Sequence, residues 1–325
     1  MVLGPIHKLA SLSLAAAALV WASSVSAHDG LSNEMGPPPV AQDYEPDPAI
    51  WKLSDEDTTI YVFGTYHVLP RNFHWRSERF ERIVAEVDEL VVETSDADSE
   101  LQMGKAMSEI FAGFADRTPI SDRLSPAAAE KWARLNTLIG APVALNDRMP
   151  LILTLLEFEV NRLEGLGSTA ENGVETWLEA EFDRTGRPVG SIENGGDVLT
   201  ALLAIDEAPM IAELEQALNE WDGTSMETLV LDEDDVVDPD DPFADEHLWA
   251  QGKGGAAIDF GDTELDATMK KVMLTDRNRA WADWLAHRLE QPGTVLLAVG
   301  AGHLTGDVSL QVMLEERGLV AIRLP

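Results

Sequence analysis

Two apolar, strand-like segments near opposite ends of the chain both end in the motif Gly-x-x-His. The first covers residues 59–63 and continues as Gly64-Thr65-Tyr66-His67, and the second covers 294–299 and continues as Gly300-Ala301-Gly302-His303. A glycine at the start of each motif lets the backbone turn tightly and approach a bound group closely. The repeated motif therefore indicates that two strands each present a histidine at a functional position.

Strand-like runs alternate with segments of helical periodicity between these motifs. Apolar residues recur at helical spacing in 77–90, 150–163 and 173–185, whereas 90–92 and 187–192 are short and strand-like. This alternation predicts an α/β protein with a central mixed, largely parallel sheet flanked by helices. Further helices are predicted at 125–139, 266–289 and 307–317, and further strands at 50–53 and 319–324.

Four of the predicted strands end in a residue that can bind a metal or move a proton, namely His67, Glu93, Glu193 and His303. Ligands of open α/β sheets bind beyond the carboxyl ends of the strands, so parallel neighbours would bring these side chains together. Two histidines with one or two carboxylates are a common ligand set for a catalytic divalent metal. Taken singly, each residue also fits a hydrogen-bonded structural role.

Arg277 shares one side of the predicted helix 266–289 with apolar residues four positions away on either side. An unpaired buried charge is costly, so Glu93 and Glu193 are its candidate partners. Arg277 either holds one of these glutamates in place or binds a carboxylate of the substrate. The alternative is that its side chain reaches the surface along its own apolar stem.

The first 27 residues have the pattern of a secretory signal peptide, with cleavage after Ala27. The competing interpretation is a membrane anchor, but the apolar run 9–22 is shorter than the roughly 20 residues that a spanning helix needs. We therefore expect a periplasmic or secreted protein with no stable membrane span after cleavage. A proline-rich, extended lead-in should cover 28–48, followed by a single domain over 49–325.

The chain is strongly acidic, with 58 acidic residues, 23 basic residues and a formal net charge of −35. Such a charge disfavours nucleic acid as a partner. The expected substrate is a peptide or a small molecule. The most acidic stretch, 232–246, is interpreted as a solvated loop because the spacing of a calcium-binding loop is absent. The absence of cysteine excludes a thiol nucleophile.

Several segments together resemble the TraB/GumN family. The closest likeness lies in Phe63-Gly64-Thr65-Tyr66-His67, Val91-Val92-Glu93, Arg277-Asn278 and Gly300-Ala301-Gly302-His303, with a further stretch over 173–193. The likeness extends over nearly all of 49–325. Two positions depart from the family pattern, since Glu175 stands where aspartate is expected and Asn194 where threonine is common. These departures bear on the shape of the substrate more than on the metal site.

The resemblance implies a fold related to the erythromycin-esterase and haem-binding ChaN-like group. It also implies kinship with the Tiki metallopeptidases, which act through paired Gly-x-x-His motifs and a glutamate. Transferred to this chain, the metal ligands are His67, His303 and Glu93, and Glu193 is a second functional carboxylate.

Three functions remain open at this point. The first is an exported, peptidase-like hydrolase that binds a divalent ion such as Mn, Co or Zn, with Glu93, Glu193 and Arg277 as catalytic residues. The second is a hydrolase without metal, in which a histidine and a glutamate activate water directly. The third is a protein that binds haem or a polysaccharide fragment without turnover. The oligomeric state is not predicted.

Overall fold

A computed structural model describes residues 40–94, 96–225, 229, 241–254 and 258–325. The predicted signal peptide, most of the proline-rich lead-in and most of the acidic loop lie outside these residues. Within them, no helix combines the length and the apolar character that crossing a membrane requires.

Eight strands in the described residues form two sheets. They are β1 (Ile50–Ser54), β2 (Thr58–Thr65), β3 (Leu69–Pro70), β4 (Glu89–Val92), β5 (Ser168–Thr169), β6 (Val189–Ser191), β7 (Gly293–Gly300) and β8 (Ile322–Arg323). Six of them form the main sheet in the order β6-β4-β7-β2-β1-β8, and β3 pairs with β5. The four strands β6, β4, β7 and β2 are parallel, whereas β1 is antiparallel to both of its neighbours. The predicted α/β fold with a mixed, largely parallel sheet is confirmed.

Several helices begin or end at residues with the expected capping chemistry. The side chain of Ser77 accepts a hydrogen bond from the backbone of Phe80, Pro126 occupies the first turn of its helix, and Gly186 ends another helix with φ of 66°. The helices are α1 (Glu78–Glu86), α2 (Asp96–Ala112), α3 (Pro126–Leu138), α4 (Val143–Asn146), α5 (Leu151–Gly165), α6 (Val174–Thr185), α7 (Gly195–Leu203), α8 (Glu207–Glu220), α9 (Ala244–Ala250), α10 (Glu264–Lys270), α11 (Asp276–Arg288) and α12 (Leu310–Glu315).

Helices cover both faces of the main sheet. Along β7, Leu296 and Ala298 pack with α1 and α6, whereas Val295 and Leu297 pack on the opposite face with α11 and α12. A third apolar cluster joins α3, α5, α7 and α8. Because the central strands are buried on both faces, they appear in the sequence as continuous apolar runs.

Three elements differ from the sequence-based prediction. The predicted helix 266–289 contains a π-helical segment, Lys271–Thr275, which apolar spacing alone does not reveal. Helix α2 was not predicted, because exposed apolar residues such as Leu101 and Phe111 blur its periodicity. The predicted strand 319–324 is reduced to the two residues of β8, which pair with β1 at the edge of the sheet.

Glu246, in the first turn of α9, provides a prediction about stability and pH. Burial, with a smaller contribution from Asp245, raises the pKa of Glu246 to about 7 from an ordinary value of 4.5. Between these values the folded chain holds a proton that the unfolded chain has lost, so stability should fall as the pH rises from 5 to 8. In the wild type, the free energy of unfolding should decrease by about 2–3 kcal/mol over this range because of Glu246. The Glu246→Gln variant should lack this decrease.

Urea unfolding of both proteins at pH 5 and pH 8 measures this difference. Glu78→Gln, which changes an exposed glutamate in the first turn of α1, is the matched control and should leave the pH dependence unchanged. An unaltered pH dependence in Glu246→Gln would show that this carboxyl group does not titrate as described.

Candidate functional site

The residues predicted at the strand ends meet beyond the carboxyl edge of the parallel strands. The Nε2 atoms of His67 and His303 each lie 4.0 Å from Oε1 of Glu93. All three residues are buried. The structure therefore places the two histidines of the Gly-x-x-His motifs around one carboxylate oxygen.

Gly300, the first residue of the second motif, explains why this motif begins with glycine. Its backbone N–H donates to Oε1 of Glu93 at 2.6 Å. A Cβ atom at this position would lie 3.1 Å from the same oxygen and 3.6 Å from Nε2 of His67. A side chain here would therefore crowd the centre of the site.

Arg277 is buried at the centre of this polar cluster. Its Nη2 donates to Glu93 and to Glu193, and its Nε donates to Oε2 of Glu193 at 3.0 Å. The predicted pairing with a carboxylate is confirmed, and the alternative in which Arg277 reaches the surface is wrong because only 7% of the residue is exposed. Burial alone would lower the pKa of Arg277, but the two glutamates outweigh it and raise the pKa.

The π-helical segment before α11 helps to orient Arg277. The carbonyl oxygen of Met273, within that segment, accepts from Nη1 of Arg277 at 3.3 Å. On the next turn, the indole Nε1 of Trp281 donates to Oε2 of Glu193 at 2.9 Å. Glu193 is thus held from two sides. Burial raises the pKa of Glu193, although the charge of Arg277 acts in the opposite direction.

Asn278 determines which nitrogen of His303 carries the proton. The amide Nδ2 of Asn278 donates to the carbonyl oxygen of Val308 at 2.7 Å, so its Oδ1 is an acceptor and receives Nδ1–H of His303 at 2.7 Å. Nε2 of His303 then carries a lone pair, which accepts from Nη1 of Arg277 at 3.1 Å. Burial, followed by the charge of Arg277, lowers the pKa of His303 well below its ordinary value. His303 is therefore neutral at physiological pH.

His67 has a different electrostatic environment. Its Nδ1 lies 2.8 Å from Oε1 of Glu175, which also accepts from the hydroxyl group of Thr65. Burial lowers the pKa of His67, but the charge and hydrogen bond of Glu175 outweigh it, so the pKa is raised. Burial would raise the pKa of Glu175, but the contact with His67 outweighs burial, so the pKa of Glu175 is lowered. Nε2 of His67 is buried and has no hydrogen-bond partner among the described residues.

The sequence interpretation assigned no site role to Glu175, Asn278 or Trp281. The signal that could have identified Glu175 is the family's aspartate at this position, which indicates an acidic side chain close to the motifs. Asn278 follows Arg277 directly, and its neighbour on the next turn is Trp281. Their contacts with His67, His303 and Glu193 depend on tertiary packing, which spacing along the chain does not show.

Gly173 allows α6 to dock against the first motif. The backbone N–H of Val174 donates to the carbonyl oxygen of Tyr66 at 3.0 Å, and a Cβ atom on Gly173 would overlap the carbonyl oxygen of His67. We expect Gly173→Ala to lower the free energy of unfolding by about 1–3 kcal/mol, because the backbone has to shift. Urea unfolding measures the change.

Gly165→Ala is the matched control, since nothing lies within 4 Å of a Cβ atom at that helical position. It should leave stability unchanged or raise it slightly. Equal stability of Gly173→Ala and the wild type would contradict the close packing of α6 on His67.

Fold and site together define an α/β protein with a buried histidine–glutamate–arginine centre at the carboxyl ends of four parallel strands. The chain belongs to the TraB/PrgY/gumN family, whose profile matches residues 49–322. It is 22% identical over 260 residues to the Uncharacterized protein YbaP of Escherichia coli (strain K12). The matched region covers 78% of this chain and 87% of YbaP. The Uncharacterized protein YbaP of Shigella flexneri matches to the same extent. The resemblance found in the sequence is confirmed.

Proposed function

We propose that this protein is an exported, peptidase-like hydrolase that uses a divalent metal ion at the His67–His303–Glu93 centre. The observation that carries the proposal is the buried, unpartnered Nε2 of His67, which lies beside the carboxylate of Glu93. A buried polar atom without a partner is costly, so an ion, a water molecule or a substrate atom is expected to contact it. The export part rests on residues 1–27 and is tested by N-terminal sequencing of the mature chain.

The residue types at this centre suit a divalent ion. Two imidazole nitrogens and one carboxylate oxygen suit Mn, Co or Zn. Nε2 of His67 is free, Oε1 of Glu93 accepts one backbone N–H, and Nε2 of His303 has a lone pair that faces Arg277. The separations of 4.0 Å mean that these atoms approach one another without forming a closed ligand cluster in the described residues. For His303 to act as a ligand, its Nε2 would have to give up the hydrogen bond from Arg277.

The remaining residues would position and accept protons. A divalent ion bound here would supply Lewis acidity, which makes water more acidic and polarises a carbonyl group. Glu193, with its raised pKa, would be the general base that takes the proton from water. Arg277 would hold Glu93 and Glu193 in place rather than bind a substrate carboxylate, since its N–H groups already donate to residues of this chain.

A second candidate is hydrolysis without a metal, with His67 as the base. It is favoured by the Glu175 contact, which leaves Nε2 of His67 as the free nitrogen, and by the Arg277 contact on His303. As the oxygen of water bonds to the substrate carbonyl carbon, its proton would move to Nε2 of His67. That proton would then pass to the leaving group as the bond to the carbonyl carbon breaks.

Metal content and chelation distinguish the two candidates. The full chain, purified without a histidine tag, is incubated with a peptide library, and new termini are identified by mass spectrometry before and after chelation. The metal proposal predicts cleavage that chelation removes and added Mn, Co or Zn restores. It also predicts bound metal that is lost in His303→Ala but retained in His74→Ala, a matched change at an exposed histidine.

Cleavage that survives chelation, with no metal in the wild type, would overturn the metal proposal and support His67 as the base. The absence of cleavage from a peptide library and from ester substrates under both conditions would overturn the assignment as a hydrolase.

A further inference from the structure

The residues just before β1 pack on the body of the protein. Within 40–48, Gln42 and Tyr44 are partly buried, whereas Asp43 and Glu45 are exposed. This alternation has the period of two that an extended segment shows when one of its sides faces a protein surface. Residues 40–48 therefore form an N-terminal strap, with Gln42 and Tyr44 on its inner side.

A chain of hydrogen bonds fixes the inner side of the N-terminal strap. The backbone N–H of His74 donates to Oε1 of Gln42 at 2.6 Å, so the other amide atom of Gln42 is the donor Nε2. This Nε2 donates to the carbonyl oxygen of His74 at 2.8 Å and to the hydroxyl oxygen of Tyr44 at 3.0 Å. The hydroxyl proton of Tyr44 is then available to Nδ1 of His247, which lies 2.6 Å from the hydroxyl oxygen.

Helix α9 is held on one side by the N-terminal strap. His247 and Ala250 are three residues apart and therefore share a side of this helix. In addition to the contact between Tyr44 and His247, the backbone N–H of Asp47 donates to the carbonyl oxygen of Ala250 at 2.7 Å. Helix α9 has only seven residues, and a helix this short is not stable without tertiary contacts. The strap supplies two of these contacts.

Trp249, on the same helix, contacts the first Gly-x-x-His motif. Strand β1 pairs with β2 only as far as Phe63, so the motif that follows extends beyond the end of β1. There the indole Nε1 of Trp249 donates to the carbonyl oxygen of Gly64 at 2.9 Å in a buried hydrogen bond. The rings of Trp249 and Tyr66 pack with their centroids 5.0 Å apart. Trp249 therefore contacts two of the four residues of the motif.

We propose that the N-terminal strap holds α9 against the sheet, and that Trp249 on this helix positions the first Gly-x-x-His motif. Trp249 is then a positioning residue for His67, since it acts through the motif that carries this histidine. A chain trimmed beyond Tyr44 would lose this support, so the N-terminus of a functional chain should lie before Gln42. The inference concerns the geometry of the motif and does not depend on the assignment as a hydrolase.

Hydrogen–deuterium exchange of the full chain, followed by mass spectrometry, tests the inference without a substrate or a metal. In the Gln42→Ala/Tyr44→Ala variant, exchange should be about tenfold or more faster in α9 and in 64–68, because the loss of several hydrogen bonds makes local opening easier. Trp249→Phe keeps an aromatic ring but removes the N–H donor, and it should also accelerate exchange in 64–68. Exchange in 293–300, the strand before the second motif, should match the wild type in both variants.

Asp43→Ala, at an exposed residue of the same strap, is the matched control and should exchange as the wild type does. Tyr44→Phe is a milder variant that removes only the hydroxyl group, and it should accelerate exchange in α9 to a smaller extent. Unchanged exchange of the first motif in the double variant or in Trp249→Phe would overturn the inference. An equal acceleration in the first motif and in 293–300 would also overturn it, because it would show a general loss of stability.

Discussion

Replacing Arg277 with methionine is expected to lower the free energy of unfolding by about 3–5 kcal/mol, because the change leaves a buried carboxylate pair without its cation. Arg277 donates to both Glu93 and Glu193 and is only 7% exposed. The loss should be larger at pH 8 than at pH 5, since protonation of a carboxyl group relieves the repulsion. Urea unfolding followed by circular dichroism at both pH values measures the effect.

Arg279→Met is the matched control for this prediction. Arg279 lies two residues away on α11, its side chain is 53% exposed, and its ion pair with Asp276 spans 3.6 Å. Exposed pairs of this kind contribute about 0–1 kcal/mol, so the control should remain close to the wild type. An Arg277→Met variant as stable as this control would contradict the role of Arg277 as the counter-ion of the site.

A triple variant, in which Glu93→Gln and Glu193→Gln accompany Arg277→Met, separates charge from packing. Removing both carboxylates should recover part of the lost stability, because the uncompensated buried charges are gone. If the triple variant is no more stable than Arg277→Met alone, the loss comes from packing around the arginine side chain.

Replacing His67 with alanine is expected to lower the rate of hydrolysis by about 10²–10⁴-fold, the usual contribution of a positioned acid–base group. The expectation rests on the proposed function and holds for both of its forms, because His67 is a metal ligand in one and the base in the other. The measurement is kcat/KM of the wild type and of the variant on one substrate identified from the peptide library.

Glu175→Gln tests the contact that supports His67. The amide keeps the shape of the side chain but removes the charge that raises the pKa of His67. In the metal-free form, the acidic limb of the pH–rate profile, along which His67 loses its proton, should shift to lower pH as the imidazole becomes less basic. Glu171→Gln, at a nearby exposed glutamate, should leave the profile unchanged.

A full rate of hydrolysis in His67→Ala would contradict the earlier prediction and exclude His67 from the reaction in either form.

The sheet and the location of the site were largely predictable from the sequence. The strands that precede His67, Glu93 and His303 contain continuous apolar runs, because helices cover both faces of the sheet. Once such strands are parallel neighbours, the residues that follow them must lie at one edge. The observed strand order makes them neighbours, so local patterns were sufficient for this part of the structure.

The details of the site were not predictable in the same way. The proton position on His303 follows from Asn278, whose own orientation depends on the carbonyl oxygen of Val308, thirty residues along the chain. The contact of Glu175 with His67 depends on α6 docking against the backbone of the first motif. Such contacts join distant segments, and no spacing or periodicity along the chain specifies them.

A crystal structure with anomalous data tests most directly whether the two Gly-x-x-His motifs form one metal centre. Crystals soaked separately with manganese, cobalt and zinc salts would be measured at the absorption edge of each metal. The predicted result, for at least one metal, is a single anomalous peak in contact with Nε2 of His67, Nε2 of His303 and Oε1 of Glu93. Imidazole rings that face separate regions, or maps without a peak between them for all three metals, would contradict it.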